Sequence, residues 1–110
     1  MNIDHILIKT TDRLTEDTLV YRGRAGLFGF LIETDGTNNA TLTLYDGLSA
    51  TGKIIRKMIV PGADRYGGIE FKRGREAETG IYATISAQVS AAFWVDYGPA
   101  ILSGNRSTET

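Results

Sequence analysis

Gly26-Leu27-Phe28-Gly29-Phe30-Leu31-Ile32-Glu33-Thr34-Asp35-Gly36-Thr37-Asn38-Asn39-Ala40-Thr41-Leu42-Thr43-Leu44-Tyr45-Asp46 sets two apolar runs on either side of a cluster of turn formers. Asp, Gly and Asn tolerate positive φ and bond to their own backbone, so residues 34–39 read as a hairpin turn between strands at 26–34 and 40–46. The same grammar continues outward from this stretch. Apolar residues recur with a period of two rather than 3.6 along 53–60, 68–72, 80–87 and 88–97, which argues for strands. Turn residues separate them at 46–52, 61–64 and 76–80.

Alternation also assigns faces. Ile69 and Phe71 share one face, as do Val89, Ala91, Phe93, Val95 and Tyr97, and Ile81, Ala83 and Ile85. Gln88, Ser90, Ala92, Trp94 and Asp96 point away from the core, as do Tyr82, Thr84 and Ser86. Residues 3–10 and 19–22 supply two further strands. Residues 11–17 carry the one trace of helical character, with Thr11 or Asp12 placed to cap a turn and Glu16 near its start, but they are too few to stand as an independent helix. Turn signals about ten residues apart describe an all-β chain, a β-sandwich or a barrel, and the fold expected is an antiparallel β-sandwich of jelly-roll or immunoglobulin-like type. Residues 1–98 form this single domain, and 99–110 form a polar C-terminal tail with little apolar surface to bury.

Length and composition agree with one domain. The chain has 110 residues, 12.0 kDa, 42% hydrophobic and 23% charged residues, and a chain of this mass buries about two-thirds of its surface on folding. Its 13 glycines exceed the usual share of about 7%, as tight turns require. Cysteine is absent, which excludes disulfides, zinc ribbons and thiol nucleophiles. The net charge of −1 lacks the bulk positive field of a nucleic-acid binder. No apolar run approaches the roughly 18 residues of a membrane-spanning helix, and the start, with Asp4, lacks the basic region of an export signal.

Catalytic chemistry finds few groups to use. His5 is the single histidine, so multi-histidine metal sites cannot form within one chain, and it reads as a structural or surface residue. Ser49 lacks nucleophile-elbow spacing and reads as a loop serine. Asp35, Asn38, Asn39 and Asp46 offer the oxygen donors calcium takes, but their spacing matches no EF-hand loop and turn chemistry accounts for them. Glu70, Glu76 and Glu78 offer carboxylates with no readable separation. The expectation is a protein that is not an enzyme and needs no cofactor and no metal. Asn39-Ala40-Thr41 and Asn105-Arg106-Ser107 fit the N-glycosylation pattern without a secretory context.

Contact chemistry is better represented. Lys72-Arg73-Gly74-Arg75 is the densest basic run and Arg22-Gly23-Arg24 the second, either solvated turns or charge contacts to an acidic surface. Trp94, Tyr82, Tyr45 and Tyr97 are either packed rings or a sugar-stacking platform.

The run at 26–46, the Gly52-Lys53 entry to the next strand, Val60-Pro61-Gly62-Ala63-Asp64-Arg65, Gly80-Ile81-Tyr82-Ala83-Thr84-Ile85-Ser86 and the closing Val95-Asp96-Tyr97-Gly98 come in an order that resembles small β-sandwich structural proteins of tailed bacteriophages, of the capsid decoration or cement kind. The resemblance covers residues 26–98. It implies a virion component made in the host cytoplasm, a homo-oligomer, most simply a trimer, that binds the major capsid protein or another virion protein and stabilises the shell. It carries over no catalytic residue. On that reading Arg22, Arg24, Lys72, Arg73 and Arg75 supply charge contacts and Trp94 an outward apolar anchor. No nucleic acid and no membrane is involved. The alternative is a head-fibre or tail-surface module that binds a host glycan or another virion protein through Tyr45, Tyr82 or Trp94.

Overall fold

Period-two alternation becomes eight strands in the computed structural model, which describes residues 8–86 and 90–99. They are β1 (Lys9–Thr10), β2 (Thr18–Arg22), β3 (Ala25–Glu33), β4 (Ala40–Asp46), β5 (Lys53–Val60), β6 (Tyr66–Ala77), β7 (Gly80–Ile85) and β8 (Ala92–Gly98). They form two antiparallel four-stranded sheets, ordered β1-β8-β3-β6 and β2-β7-β4-β5. The sheets pack face to face as a β-sandwich.

The pairing is nested. Thr10 pairs with Asp96, Thr18 with Ala83, Ala25 with Ala77, Ala40 with Val60 and Asp46 with Lys53, each pair inside the one before. The chain is thus one long antiparallel hairpin, doubled at the β4–β5 turn and rolled until β8 meets β3 and β7 meets β4. This is the jelly-roll arrangement, and it settles which of the two sandwich types is present.

The inward residues are those that alternation selects. Ile81, Ala83, Phe93 and Val95 are fully buried, with Leu27, Ile32, Leu42, Leu44 and Val60 from the facing strands. Ile69, Phe71 and Tyr97 pack against them from the rim. Val89, Gln88, His5 and the tail at 100–110 lie outside the described residues, as does most of the strand expected at 3–10, of which Lys9 and Thr10 pair with β8.

One expectation is met at residues 11–17 and one is corrected at 34–39. Residues 11–17 form no helix, in keeping with their shortness: Leu14 makes a two-way backbone bridge with Phe93, at 2.9 and 2.8 Å, and packs on the core. The nearby polar residues serve sheet edges instead. Thr11 Oγ1 accepts the Val95 N–H and Asp17 Oδ1 accepts the Ile85 N–H, so a local helix loses to pairing across the sandwich.

Residues 34–39 do not close a hairpin either, because β3 and β4 belong to different sheets. They form a corner. Asp35 Oδ1 accepts the N–H groups of Thr37 and Asn38, while Asn38 Nδ2 donates to Asp35 Oδ2. Thr34 Oγ1 and Asn39 Oδ1 tie the corner to the carbonyl and N–H of Gly62, in a 3-10 turn at Gly62–Asp64. A Cβ at position 62 would run into the Thr37 carbonyl, so glycine is needed for the backbones to meet.

The N–H of Asn38, then its side chain, then the N–H of Thr37 bring the exposed Asp35 carboxyl from 3.8 down to about 2. A depressed carboxyl stabilises the fold above its unfolded pKa, and that contribution is lost as pH falls through the folded value. An NMR titration should place the Asp35 midpoint near 2. A midpoint at the ordinary carboxyl value of 3.8 would contradict the corner's bonding.

Candidate functional site

Seven of the twelve cations fall within residues 53–75, together with only two of the thirteen acids. The fold gathers them at one side of the sandwich. β5 is an edge strand of one sheet and β6 of the other, joined by residues 61–65 and packed together, Val60 lying against Gly67. Lys53, Arg56 and Lys57 line β5, and Lys72, Arg73 and Arg75 line β6. A nearly neutral chain therefore carries one strongly basic edge.

The geometry of β6 is set by a large bulge. Leu27 pairs with Arg75 and Gly29 with Glu70, so Phe28 alone opposes residues 71–74. Gly74 takes φ 73 there, a left-handed conformation that glycine adopts without cost. The extra residues carry the exposed Lys72 and Arg73. Bulges and charges are also the usual protection of an edge strand against unwanted pairing. Gly29 marks the same site on β3, since a Cβ there would stand 2.6 Å from the Ile69 carbonyl.

The basic residues singled out in the sequence divide into distinct settings. Arg24 is hydrogen-bonded and ion-paired to Glu76, an exposed pair worth about 0–1 kcal/mol. Arg75 lies over the Phe71 ring, 4.9 Å from its centroid, and Phe71 meets Phe30 edge-on. Arg22 is exposed at the end of β2, opposite Gly80. Lys72 and Arg73, with Arg56 and Lys57 beside them, have no ion pair or side-chain hydrogen bond among the described residues. Sequence reading missed Arg56 and Lys57 because they are scattered through a strand. The charge of the segment, rather than of the chain, would have revealed them.

The aromatic candidates lie on opposite faces. Tyr82 and Tyr45 neighbour each other on the outer face of the β2-β7-β4-β5 sheet, their ring centroids 6.4 Å apart. They form one rung with Leu19 and Ile54 that crosses all four strands. Half-buried Trp94 is on the outer face of the other sheet, paired with the exposed Leu31. Tyr97 turns inward against Tyr21 and the core. Trp94 and the tyrosine pair therefore cannot form one platform.

The oxygen and nucleophile candidates have structural partners. Asp46 lies at the far end of β4 from Asn39, about 20 Å away along a strand of that length, so the four calcium candidates do not converge. Its carboxylate accepts the Thr79 N–H at 2.9 Å and the Glu78 N–H at 3.0 Å, which closes the β6–β7 turn. Burial opposes ionisation of Asp46, but the N–H groups of Glu78, Thr79 and Gly80, with Lys53 nearby, outweigh it and hold the carboxyl below its usual range. Ser49 Oγ bonds to Thr51 Oγ1 and receives the Thr51 N–H within the β4–β5 turn. Glu70 is exposed opposite Gly29, Glu76 pairs with Arg24, and Glu78 belongs to the Asp46-capped turn. Asn39 is engaged by Gly62.

The site is thus an edge of cations without acidic partners among the described residues, flanked by two chemically different faces, one bearing a tyrosine pair and the other a tryptophan. Comparison with known protein families, with curated proteins and with solved structures finds no match to this chain.

Proposed function

We propose that the chain is a non-catalytic binding module, in its most specific form a capsid decoration or cement protein of a tailed bacteriophage, resident in the virion. The observation that carries the binding role is the β5–β6 edge, where Arg56, Lys57, Lys72 and Arg73 stand without acidic partners among the described residues. Charges left open on a small domain favour contact with an acidic surface, steering encounter and fixing register. The sequence resemblance over residues 26–98 supplies the specific form. In that role Arg75 extends the basic contact, Arg22 supplies a separate charge contact on β2, at the opposite edge of its sheet from β5, and Trp94 with Leu31 gives an apolar anchor on the outer face of the β6 sheet. Arg24 contributes through its pairing with Glu76.

Self-association into a trimer would use the nearly uncharged outer face of the tyrosine rung. That face carries Leu19, Tyr82, Tyr45 and Ile54 with Thr41 and Ile59 and one cation, Lys57, at its β5 margin, and Ile54 and Ile59 are more than half exposed. The test is solution mass by light scattering followed by pelleting with shells that lack the protein. A trimer that co-sediments to stoichiometric saturation supports the reading, and a monomer left in the supernatant contradicts it.

One observation favours a second reading. Adjacent, half-buried Tyr45 and Tyr82 on a hydroxyl-rich face suit stacking of a sugar ring, as in a fibre or tail-surface module. Binding on a glycan array that is lost in Tyr82→Ala would move the assignment there.

A further inference from the structure

We propose that residues 56–60 of β5 take up an extended, acidic segment of another protein as an added strand. The inference shares the basic edge with the reading above but does not depend on a capsid. It rests first on the shape of the edges. β1 has two residues and β2 is interrupted between Leu19 and Tyr21. The cationic half of β6 is bulged, and its regular half contains Gly67 and Gly68 and no cation. In β5 the irregularity is confined to Ile55, and residues 56–60 run in unbroken register with 40–44. Among the described residues nothing pairs with the outer side of this strand. An edge of this kind presents alternating N–H and C=O groups that an incoming strand can satisfy.

The side chains then select the partner. Exposed Arg56 and Lys57 are adjacent at the centre, with Ile59 56% exposed beside them. A second copy of β5 pairing antiparallel about Arg56 or about Lys57 would set that cation against its own counterpart, and like charges directly opposite are destabilising. An acidic strand reverses that sign, and Lys72 and Arg73 on the neighbouring edge add to the attraction. A nucleic acid suits the edge less well. Phosphates accept hydrogen bonds but donate none to the free carbonyls, the Phe71 face is already covered by Arg75, and aliphatic Ile59 offers a phosphate backbone nothing. Lys57 and Ile59 share one face of β5 and Arg56 lies on the other, so a segment with two adjacent acids, one for each cation, beside β-branched residues matches both the charge and the apolar flank.

The test uses the full chain and a labelled octapeptide that repeats Val-Val-Glu-Glu. A second octapeptide that repeats Pro-Pro-Glu-Glu has equal charge but cannot form a strand. The Glu-Val peptide should bind, slow hydrogen exchange at the amides of residues 56–60, and bind at least tenfold more weakly to the Arg56→Gln/Lys57→Gln protein. These side chains are exposed on the strand, and an unchanged urea midpoint confirms that the variant keeps its fold. Equal binding of the Glu-Pro peptide, protection elsewhere, unaltered affinity in the variant, or tighter binding of an oligothymidylate than of the Glu-Val peptide would each overturn the proposal. Shell pelleting is unaffected by this outcome, so the two readings fail separately.

Discussion

Phe93→Ala is expected to remove about 3–5 kcal/mol of stability, a large part of the roughly 5–15 kcal/mol available to a domain of this size. Phe93 is fully buried in β8, between the two sheets, and is the largest of the fully buried side chains among the described residues. Deleting its ring leaves a cavity that the β3 and β8 backbones, locked by their pairing, cannot collapse to fill. The adjacent Trp94→Ala should cost far less, because Trp94 stands on the outer face beside Leu31 and water can replace it. The pair tests register directly, since a slip of one residue would exchange the two side chains between core and solvent. Urea unfolding of both variants reads the difference. A larger loss for Trp94→Ala than for Phe93→Ala would contradict the register.

Asp46→Ala should cost about 2 kcal/mol, because it leaves the Glu78 and Thr79 N–H groups without their charged acceptor. The effect is amplified by position. Asp46 ends β4, starts the turn about which the whole chain doubles, and also fastens the β6–β7 connection to it. Its carboxyl is held below the ordinary range, so its contribution is present above the unfolded carboxyl pKa and is lost as pH falls through the lowered folded value. The gap between wild type and Asp46→Ala should therefore be full at pH 7 and close progressively in acid. Urea midpoints across that range measure it. A gap that persists unchanged in strong acid would show that the carboxylate charge is not what closes the turn.

The strands were legible because their physics is local. Ala40–Asp46 and Lys53–Val60 match the expected bounds residue for residue, and Ile81, Ala83, Phe93 and Val95 point inward as alternation requires. The connections were less so. Asp35, Gly36 and Asn38 provide the same turn chemistry whether the next strand joins the same sheet or crosses to the facing one, and the choice is made by distant groups such as Gly62. β6, expected at 68–72, runs from Tyr66 to Ala77, because Gly67 and Gly74 look like strand breakers in sequence. In the fold they permit close approach of neighbouring chain segments and a bulge.

The candidate site was half legible for a related reason. Lys72, Arg73 and Arg75 stand out as a run, whereas Arg56 and Lys57 join them through the packing of β5 beside β6, and Trp94 parts from Tyr45 and Tyr82 because β8 and β7 lie in different sheets.

On the proposed function, the basic β5–β6 edge is the surface by which the protein attaches to a capsid shell. The most direct measurement is co-sedimentation with shells lacking the protein, comparing wild type with a variant in which Arg56, Lys57, Lys72 and Arg73 are all replaced by Gln, at low and high salt. Wild type is expected to reach saturating occupancy that weakens as salt screens the contact, and the variant little or none despite a native urea midpoint. Equal pelleting of both proteins, or wild type remaining in the supernatant, would contradict it.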